Sequence, residues 1–336
     1  MSSSVTLVTG ATGLVGNNTV RMLLDRGQPA RALVRATSDP RPLEGLDVEA
    51  AEGDICDADS VRRACEGAGV VIHAAGYVQL GSAYLDRHRR INVDGTRNVA
   101  QAARAAGARM VHVSSCDALG VRSLEEPADE ETPLGEPVRC SYSITKREAE
   151  QVVLEEVDRG LDAVIVNPAF MLGPWDWKPS SGRMLLEVAK GVARVAPRGH
   201  FSVCDVRDVV GGILAAVERG SCGERYILAG VTLSYFETWQ KFAEITGAKP
   251  PWFAAPPRLA AIAGFGGDVW GRLTGREPDV NSGAIALAKL PKSYTSAKAQ
   301  RELRYSNRPL DVSIRDAWDW FVQHDYARPR RRAKHL

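Results

Sequence analysis

The sequence has no long apolar run. None of its hydrophobic stretches approaches the ~20 residues needed to cross a bilayer, so no spanning helix is expected and membrane contact is not anticipated. Aromatic residues are few, 7% of 336, and neither sign of charge dominates. With 43 basic and 41 acidic side chains the formal net charge is only +2. Such a balance supplies no field to attract a polyanion, and no nucleic-acid partner is expected. The six cysteines (Cys56, Cys65, Cys116, Cys140, Cys204 and Cys222) form no C-x-x-C pair. They read as reduced thiols of a cytoplasmic protein. The six histidines lack metal-ligand spacing, so no metal site is expected. Met1 to Ser4 is short and polar, unlike a secretory leader. What remains is ordinary for a globular chain: 44% hydrophobic, 25% charged, and long enough for two lobes.

Against that background the first sixteen residues stand out. Val5 to Val8 read as a short buried strand, and glycines follow at Gly10, Gly13 and Gly16. Val20, Leu23 and Leu24 then recur at helical spacing until Gly27. Glycine allows a tight turn, lets backbone approach a pyrophosphate, and brings helix close to strand. The helix N-terminus offers unpaired N–H groups to phosphates. A glycine triplet alone also fits a plain strand-to-helix turn, but strand, triplet and helix in this order point to a dinucleotide.

The pattern then repeats. Ala30 to Val34 form a second predicted strand, ending in Arg35 where such folds usually carry an acid for the ribose hydroxyls. An arginine there suits a 2′-phosphate and favours NADP(H) over NAD(H). The alternative is a solvated Arg35 with Asp39 reaching the ribose. Further strands are expected at Asp47 to Ala51, Val70 to Gly76 and Arg109 to Val113. Asp54 suits either an adenine contact or a helix cap. His73 lies in an apolar strand and reads as structural. A helix is expected from Ile91 to about Ala106, and the fifth strand delivers Ser114 and Ser115 at its carboxyl end. Strict alternation of strand and helix means an α/β, doubly wound parallel sheet, with ligands outside the carboxyl ends of the strands.

After an acidic loop from Glu125 to Pro137 comes Tyr142-Ser143-Ile144-Thr145-Lys146, opening a helix through Glu156. Tyrosine and lysine four apart share one face. A phenol normally titrates near 10; a neighbouring ammonium and an oxidised nicotinamide would favour its phenolate and make it an acid or base. A sixth strand, Leu161 to Val166, ends in Asn167-Pro168. Beyond it the alternation loosens into a smaller C-terminal substrate-binding lobe. The expected division is a dinucleotide-binding core over 1–170, a lobe over 171–327 with about 201–230 returning to the core, and a basic tail over 328–336. Helices are expected over Arg183 to Lys190, up to Gly220, over Tyr235 to Ile245 and from Val312 on, with a strand over Glu224 to Leu228. Lys249 to Pro257 reads as a linker or lid. Leu259 to Phe265 reads as a short pocket-lining or dimer helix rather than an anchor. The tail reads as a solvated end, with anionic lipid as the alternative.

Thr9-Gly10-Ala11-Thr12-Gly13-Leu14-Val15-Gly16, His73-Ala74-Ala75-Gly76, Asn92, Val113-Ser114-Ser115, Tyr142 with Lys146, and Asn167-Pro168 together resemble the extended short-chain dehydrogenase/reductases, the NAD-dependent epimerase/dehydratase family. Leu33-Val34-Arg35 and the stretch from Gly173 to Arg183 are similar to its dihydroflavonol-reductase-like branch, near hopanoid-associated sugar epimerases and 3β-hydroxysteroid dehydrogenases. The resemblance implies a Rossmann fold and a catalytic set of Ser115, Tyr142 and Lys146, with Ser115 chosen because it stands five before Gly120. It implies a cofactor lined by Gly10, Thr12, Gly13, Leu14, Val15, Gly16, Arg35, Asp54, Ile55, Ala74, Ala75, Gly76, Asn92, Ser114, Tyr142, Lys146 and Pro168. Trp175 and Trp177, beside the expected pocket, suggest a flat apolar substrate. The leading expectation is an NADP(H)-dependent reductase or dehydrogenase of a small molecule, with a homodimer possible. A nucleotide-sugar epimerase and a catalytically silent dinucleotide-binding module are the alternatives.

Overall fold

β-branched and apolar residues dominate the central strands, because a sheet covered on both faces favours apolar side chains on each. In the computed structural model, which describes residues 4–135, 138–275 and 278–328, the strands are β1 Val5–Thr9, β2 Ala30–Val34, β3 Glu49–Glu52, β4 Ala68–His73, β5 Arg109–Val113, β6 Ala163–Pro168, β7 Phe170–Leu172, β8 Val195–Ala196, β9 His200–Asp205, β10 Arg225–Leu228, β11 Val231–Ser234, β12 Phe253–Ala254 and β13 Pro291–Lys292. The helices are α1 Leu14–Asp25, α2 Ala58–Cys65, α3 Leu85–His88, α4 Gly95–Ala105, α5 Ser141–Asp158, α6 Gly182–Lys190, α7 Val206–Arg219, α8 Tyr235–Thr246, α9 Pro257–Thr274, α10 Ser282–Ala288, α11 Ala297–Leu303 and α12 Leu310–Gln323.

Seven strands form one parallel sheet in the order β10-β6-β5-β4-β1-β2-β3. Successive residues point to opposite faces. Val8, Ile72 and Val111 therefore meet α1 and α7, whereas Leu7, Val71 and Met110 meet the side covered by α2, α4 and α5. The strand order reverses between β1 and β4, whose ends Thr9 and His73 are register partners. This reversal opens the crevice where ligands bind in sheets of this kind.

The smaller lobe is built on β7, β9, β11 and β13. Leu172, Leu185, Phe201, Phe242 and Phe321 fill its core beneath α6, α8 and α12. Within the segment expected to return to the core, β9 belongs to this smaller sheet; α7 and β10 pack with the large one, and α11 joins them there.

Several local expectations change. The fourth strand stops at His73, so Ala74 to Gly76 leave the sheet. The helix expected from Ile91 starts as a widened π-type turn over Arg89–Asp94, and α4 follows. Lys249 to Pro257 is not a free linker: β12 pairs with β8, and Ala255 is buried. The short helix over Leu259 to Phe265 is in fact eighteen residues long, and it lies on the surface rather than lining a pocket. Glu136, Pro137 and the tail beyond Arg328 lie outside the described residues.

Candidate active site

The glycine turn is shaped for backbone approach. Gly10 has φ +70°, and a Cβ there would stand 2.7 Å from the Ala75 nitrogen. The Gly13 N–H donates to the Gly10 carbonyl at 2.9 Å, closing the turn. α1 then begins with no side-chain cap and no acidic residue in its first turn. Its N–H groups and positive dipole end are left for an anion, which is the environment a pyrophosphate needs.

One buried network ties the crevice walls together. The Ala75 N–H donates to Thr9 Oγ1 at 3.2 Å, and the Thr9 hydroxyl donates to His73 Nδ1 at 2.7 Å. His73 Nε2–H donates to Thr96 Oγ1 at 3.0 Å, whose hydroxyl donates to the Asn92 carbonyl at 2.6 Å. Burial lowers His73 to about 3 and keeps it neutral, so it is a brace and not a base. Asn92 sits in the widened turn. Its Oδ1 accepts from the Tyr77 N–H at 2.7 Å and its amide donates to Thr145 Oγ1 at 3.1 Å, joining the chain after Gly76 to α5. A widened turn at a functional position is a recurrent device.

α5 carries the reactive candidates. Tyr142 and Lys146 are both buried. The Lys146 ammonium donates to the Val113 carbonyl at 2.9 Å and approaches Gly76, where a Cβ would be 3.6 Å from Nζ. Burial lowers Lys146 to about 8, with Glu150 opposing. Burial raises the Tyr142 phenol above its ordinary value, and its hydrogen bond with Ser115 works the other way. The protein thus keeps the phenol protonated. Lys146 is not among the main influences on it, so the expected direct effect of the lysine on the tyrosine is not what the geometry emphasises. Ser115 caps the turn Cys116–Ala118, accepting from the Asp117 N–H at 3.1 Å, which fixes its hydroxyl beside Tyr142. Leu80, Val138, Leu287 and Leu290 pack around Cys140 and Tyr142.

Two functional features escaped the sequence reading. Glu150 is one further turn along the face of Tyr142 and Lys146, a spacing that could have revealed it. It accepts from the Ser114 hydroxyl at 2.5 Å, the Asn167 amide at 2.6 Å and Arg225 Nε at 2.8 Å. The Ser114 hydroxyl is therefore committed to this internal collar. Lys292, from the smaller lobe, pairs with Asp117 at 3.4 Å beside Ser115; some 175 residues separate them, and no local pattern announces the pair.

Elsewhere the expected residues fall at the carboxyl ends of β2, β3 and β6. Arg35 is exposed just past β2. Asp39 is engaged by Arg41 at 2.6 Å. Asp54 accepts from the Cys56 N–H at 2.9 Å, while the cap of α2 is Asp57. Asn98 donates to the Ile55 carbonyl at 2.9 Å, and Pro168 closes β6. Trp175 and Trp177 do not line the site. Arg21 lies over the Trp175 ring at 3.4 Å, and both indoles pack against Trp320 and His324. Their rings fill the seam between α1 and α12, because Trp175 takes a left-handed φ of +68° that turns the chain there.

A glycine cradle at the switch point of a doubly wound sheet, with a Ser-Tyr-Lys cluster at the same strand ends, defines a pyridine-nucleotide-dependent oxidoreductase. Residues 6–229 match the model of the NAD dependent epimerase/dehydratase family, and the chain belongs to that family, the extended short-chain dehydrogenase/reductases. It is 38% identical over 320 residues to the sterol demethylase protein B of Methylococcus capsulatus, covering 94% of this chain and 98% of that one. It is 34% identical over 329 residues to a Synechocystis sp. protein given the name dihydroflavonol 4-reductase, covering 96% and 95%. Among solved structures, that of gox2253 superposes with a TM-score of 0.84 at 37% identity, covering 96% of this chain and 99% of that one. The family acts on small molecules with a nucleotide cofactor. No helix among the described residues is long and apolar enough to cross a membrane.

Proposed function

We propose that this enzyme reduces a ketone or aldehyde of a largely apolar small molecule with NADPH, or oxidises the corresponding secondary alcohol. The observation that carries the reading is the buried Tyr142 phenol beside Ser115 and one helical turn from the buried Lys146, at the mouth of the glycine cradle. When bound, the reduced dinucleotide supplies hydride to the carbonyl carbon. The Ser115 hydroxyl holds the substrate oxygen, and the Tyr142 phenol gives that oxygen its proton, so the carbonyl becomes an alcohol. Lys146, lowered to about 8 and with its ammonium beside Gly76, would hold the nicotinamide ribose hydroxyls. Gly10, Gly13 and Gly16 with the N–H groups of α1 would hold the pyrophosphate, and Asp54, Ile55, Ala74 and Ala75 would flank the adenosine.

Arg35 supports NADPH, since Asp39, the nearby acid that could take the ribose hydroxyls, is paired with Arg41. Apolar substrate character rests on Leu80, Val138, Leu287 and Leu290 around Tyr142, and the names of the sterol and dihydroflavonol relatives agree with it. The test is a panel of sterol, flavonoid and aliphatic ketones with each reduced cofactor. Stoichiometric NADPH consumption is expected. Purified protein carrying tightly held NAD and interconverting nucleotide sugars would replace the reading with an epimerase.

A further inference from the structure

α9 presents its apolar side to solvent, the reverse of an ordinary surface helix, which buries that stripe. Leu259, Ile262, Phe265, Val269, Trp270 and Leu273 are 45, 70, 68, 38, 62 and 80% exposed. At about 100° per residue they occupy an arc of about 140°. The opposite flank attaches the helix to the protein. Gly264 is its buried residue, and a Cβ there would meet Ile285 Cδ1 at 2.8 Å. Asp268 accepts from the Ser282 N–H at 3.1 Å. Arg258 and Arg272 border the arc on one edge. Trp252, 70% exposed, stands in the chain just before it.

We infer that α9 is an interfacial helix that seats the protein on an anionic bilayer surface. Tryptophan, phenylalanine and leucine on one face, with arginine alongside, is the composition that lies in the headgroup boundary with its apolar side buried ~5–10 Å. Charge selects lipid over a second copy of the chain. After Asp325 the sequence holds Arg328, Arg330, Arg331, Arg332 and Lys334 and no acid. The described chain ends at Arg328, where the Tyr326 hydroxyl donates to the Trp177 carbonyl at 2.5 Å. Just beyond α9, Asp279 is already paired with Arg183 at 2.8 Å. A self-interface through α9 would bring Arg258 and Arg272 of two copies together, like charge on like. An anionic surface neutralises them, and the basic residues after Asp325 add to its attraction. The proposal departs from the expectation of no membrane contact, because the sequence showed a short apolar run and not which side of a longer helix stays uncovered. α9 rests on α10, whose Leu287 packs with Tyr142, so a seated enzyme would receive apolar substrate from the lipid phase. That last consequence rests on the reductase reading; the seating itself does not.

The full chain, without cofactor or substrate, is sedimented with vesicles of phosphatidylcholine and phosphatidylglycerol in equal parts, and with phosphatidylcholine alone. The expected result is binding to the anionic vesicles, a blue shift of tryptophan fluorescence, and weakening by salt. Ile262→Ser with Phe265→Ser and Trp270→Ser should weaken binding at least about tenfold, since each side chain loses apolar burial; an unchanged dinucleotide titration reports an intact fold. Arg258→Glu with Arg272→Glu keeps the apolar arc and should lower the preference for anionic vesicles, the basic tail retaining part of it. Wild-type protein that stays in the supernatant with both vesicle types overturns the proposal. So does a dimer in analytical ultracentrifugation that the triple substitution dissociates without any vesicle binding. Because no turnover is read, these results are independent of the catalytic assignment.

Discussion

Replacing Glu150 should damage both stability and catalysis without touching a reacting atom. Its carboxylate is 3% exposed and serves three donors on three elements: Ser114 at the end of β5, Asn167 on β6 and Arg225 on β10. Glu150→Ala leaves a buried hydroxyl, a buried amide and a guanidinium without their acceptor. Breaking a buried ion pair by removing one partner costs about 3–5 kcal/mol. Arg225 is partly exposed at 32% and recovers some solvation, so the lower end is expected. Glu150→Gln keeps the shape and one acceptor oxygen but faces Arg225 with a donor, for a loss of about 1.5–3 kcal/mol, the worth of a charged hydrogen bond. Urea denaturation of both variants, followed by circular dichroism, reads the order Ala below Gln below wild type. The turnover number should fall in both while the dinucleotide dissociation constant holds, because the collar sets how α5 presents Tyr142 and Lys146 against Ser115. If Glu150→Ala denatured within about 1 kcal/mol of wild type, the three contacts would not hold those strands to α5 and the reasoning would fail.

Tyr142→Phe should abolish reduction while dinucleotide affinity stays within a few-fold; turnover near wild type would remove the phenol from its role. Arg35→Ala should weaken NADPH by about ten- to a hundredfold, the range of a charge-assisted phosphate contact, and leave NADH nearly unchanged in fluorescence titration; equal weakening of both would sever the arginine from the 2′-phosphate. For Lys146 the sign follows from its depressed value of about 8 in the folded protein against the ordinary 10.5. Between those values the unfolded chain binds more protons, so stability rises with pH. The burial cost, about 3 kcal/mol, is fully present below pH 8 and relieved toward pH 10.5. Lys146→Met should flatten that rise in urea titrations taken from pH 7 to pH 10.5, and a variant with the wild-type slope would contradict it.

The core was readable because its determinants are local. Val5 to Val8, the glycines and Val20, Leu23 and Leu24 specify strand, turn and helix from short-range sterics and periodicity. Tyr142 and Lys146 share a face through helical geometry alone. The same logic failed where one residue's role depends on a distant one. Trp175 and Trp177 looked like pocket walls only because they follow Gly173-Pro174; their partners Arg21, Trp320 and His324 come from both ends of the chain.

By itself, the amino-acid order determined the alternating elements, the parallel sheet, the phosphate turn and the spacing of phenol and ammonium, since each follows from backbone sterics and side-chain period. Only the tertiary structure decided that Ser114 serves Glu150 while Ser115 meets Tyr142, that Lys292 reaches Asp117, and that the apolar side of α9 faces outward. These outcomes depend on which surfaces are covered and which polar groups are desolvated. Burial is a property of the packed whole, and no window of the chain contains it.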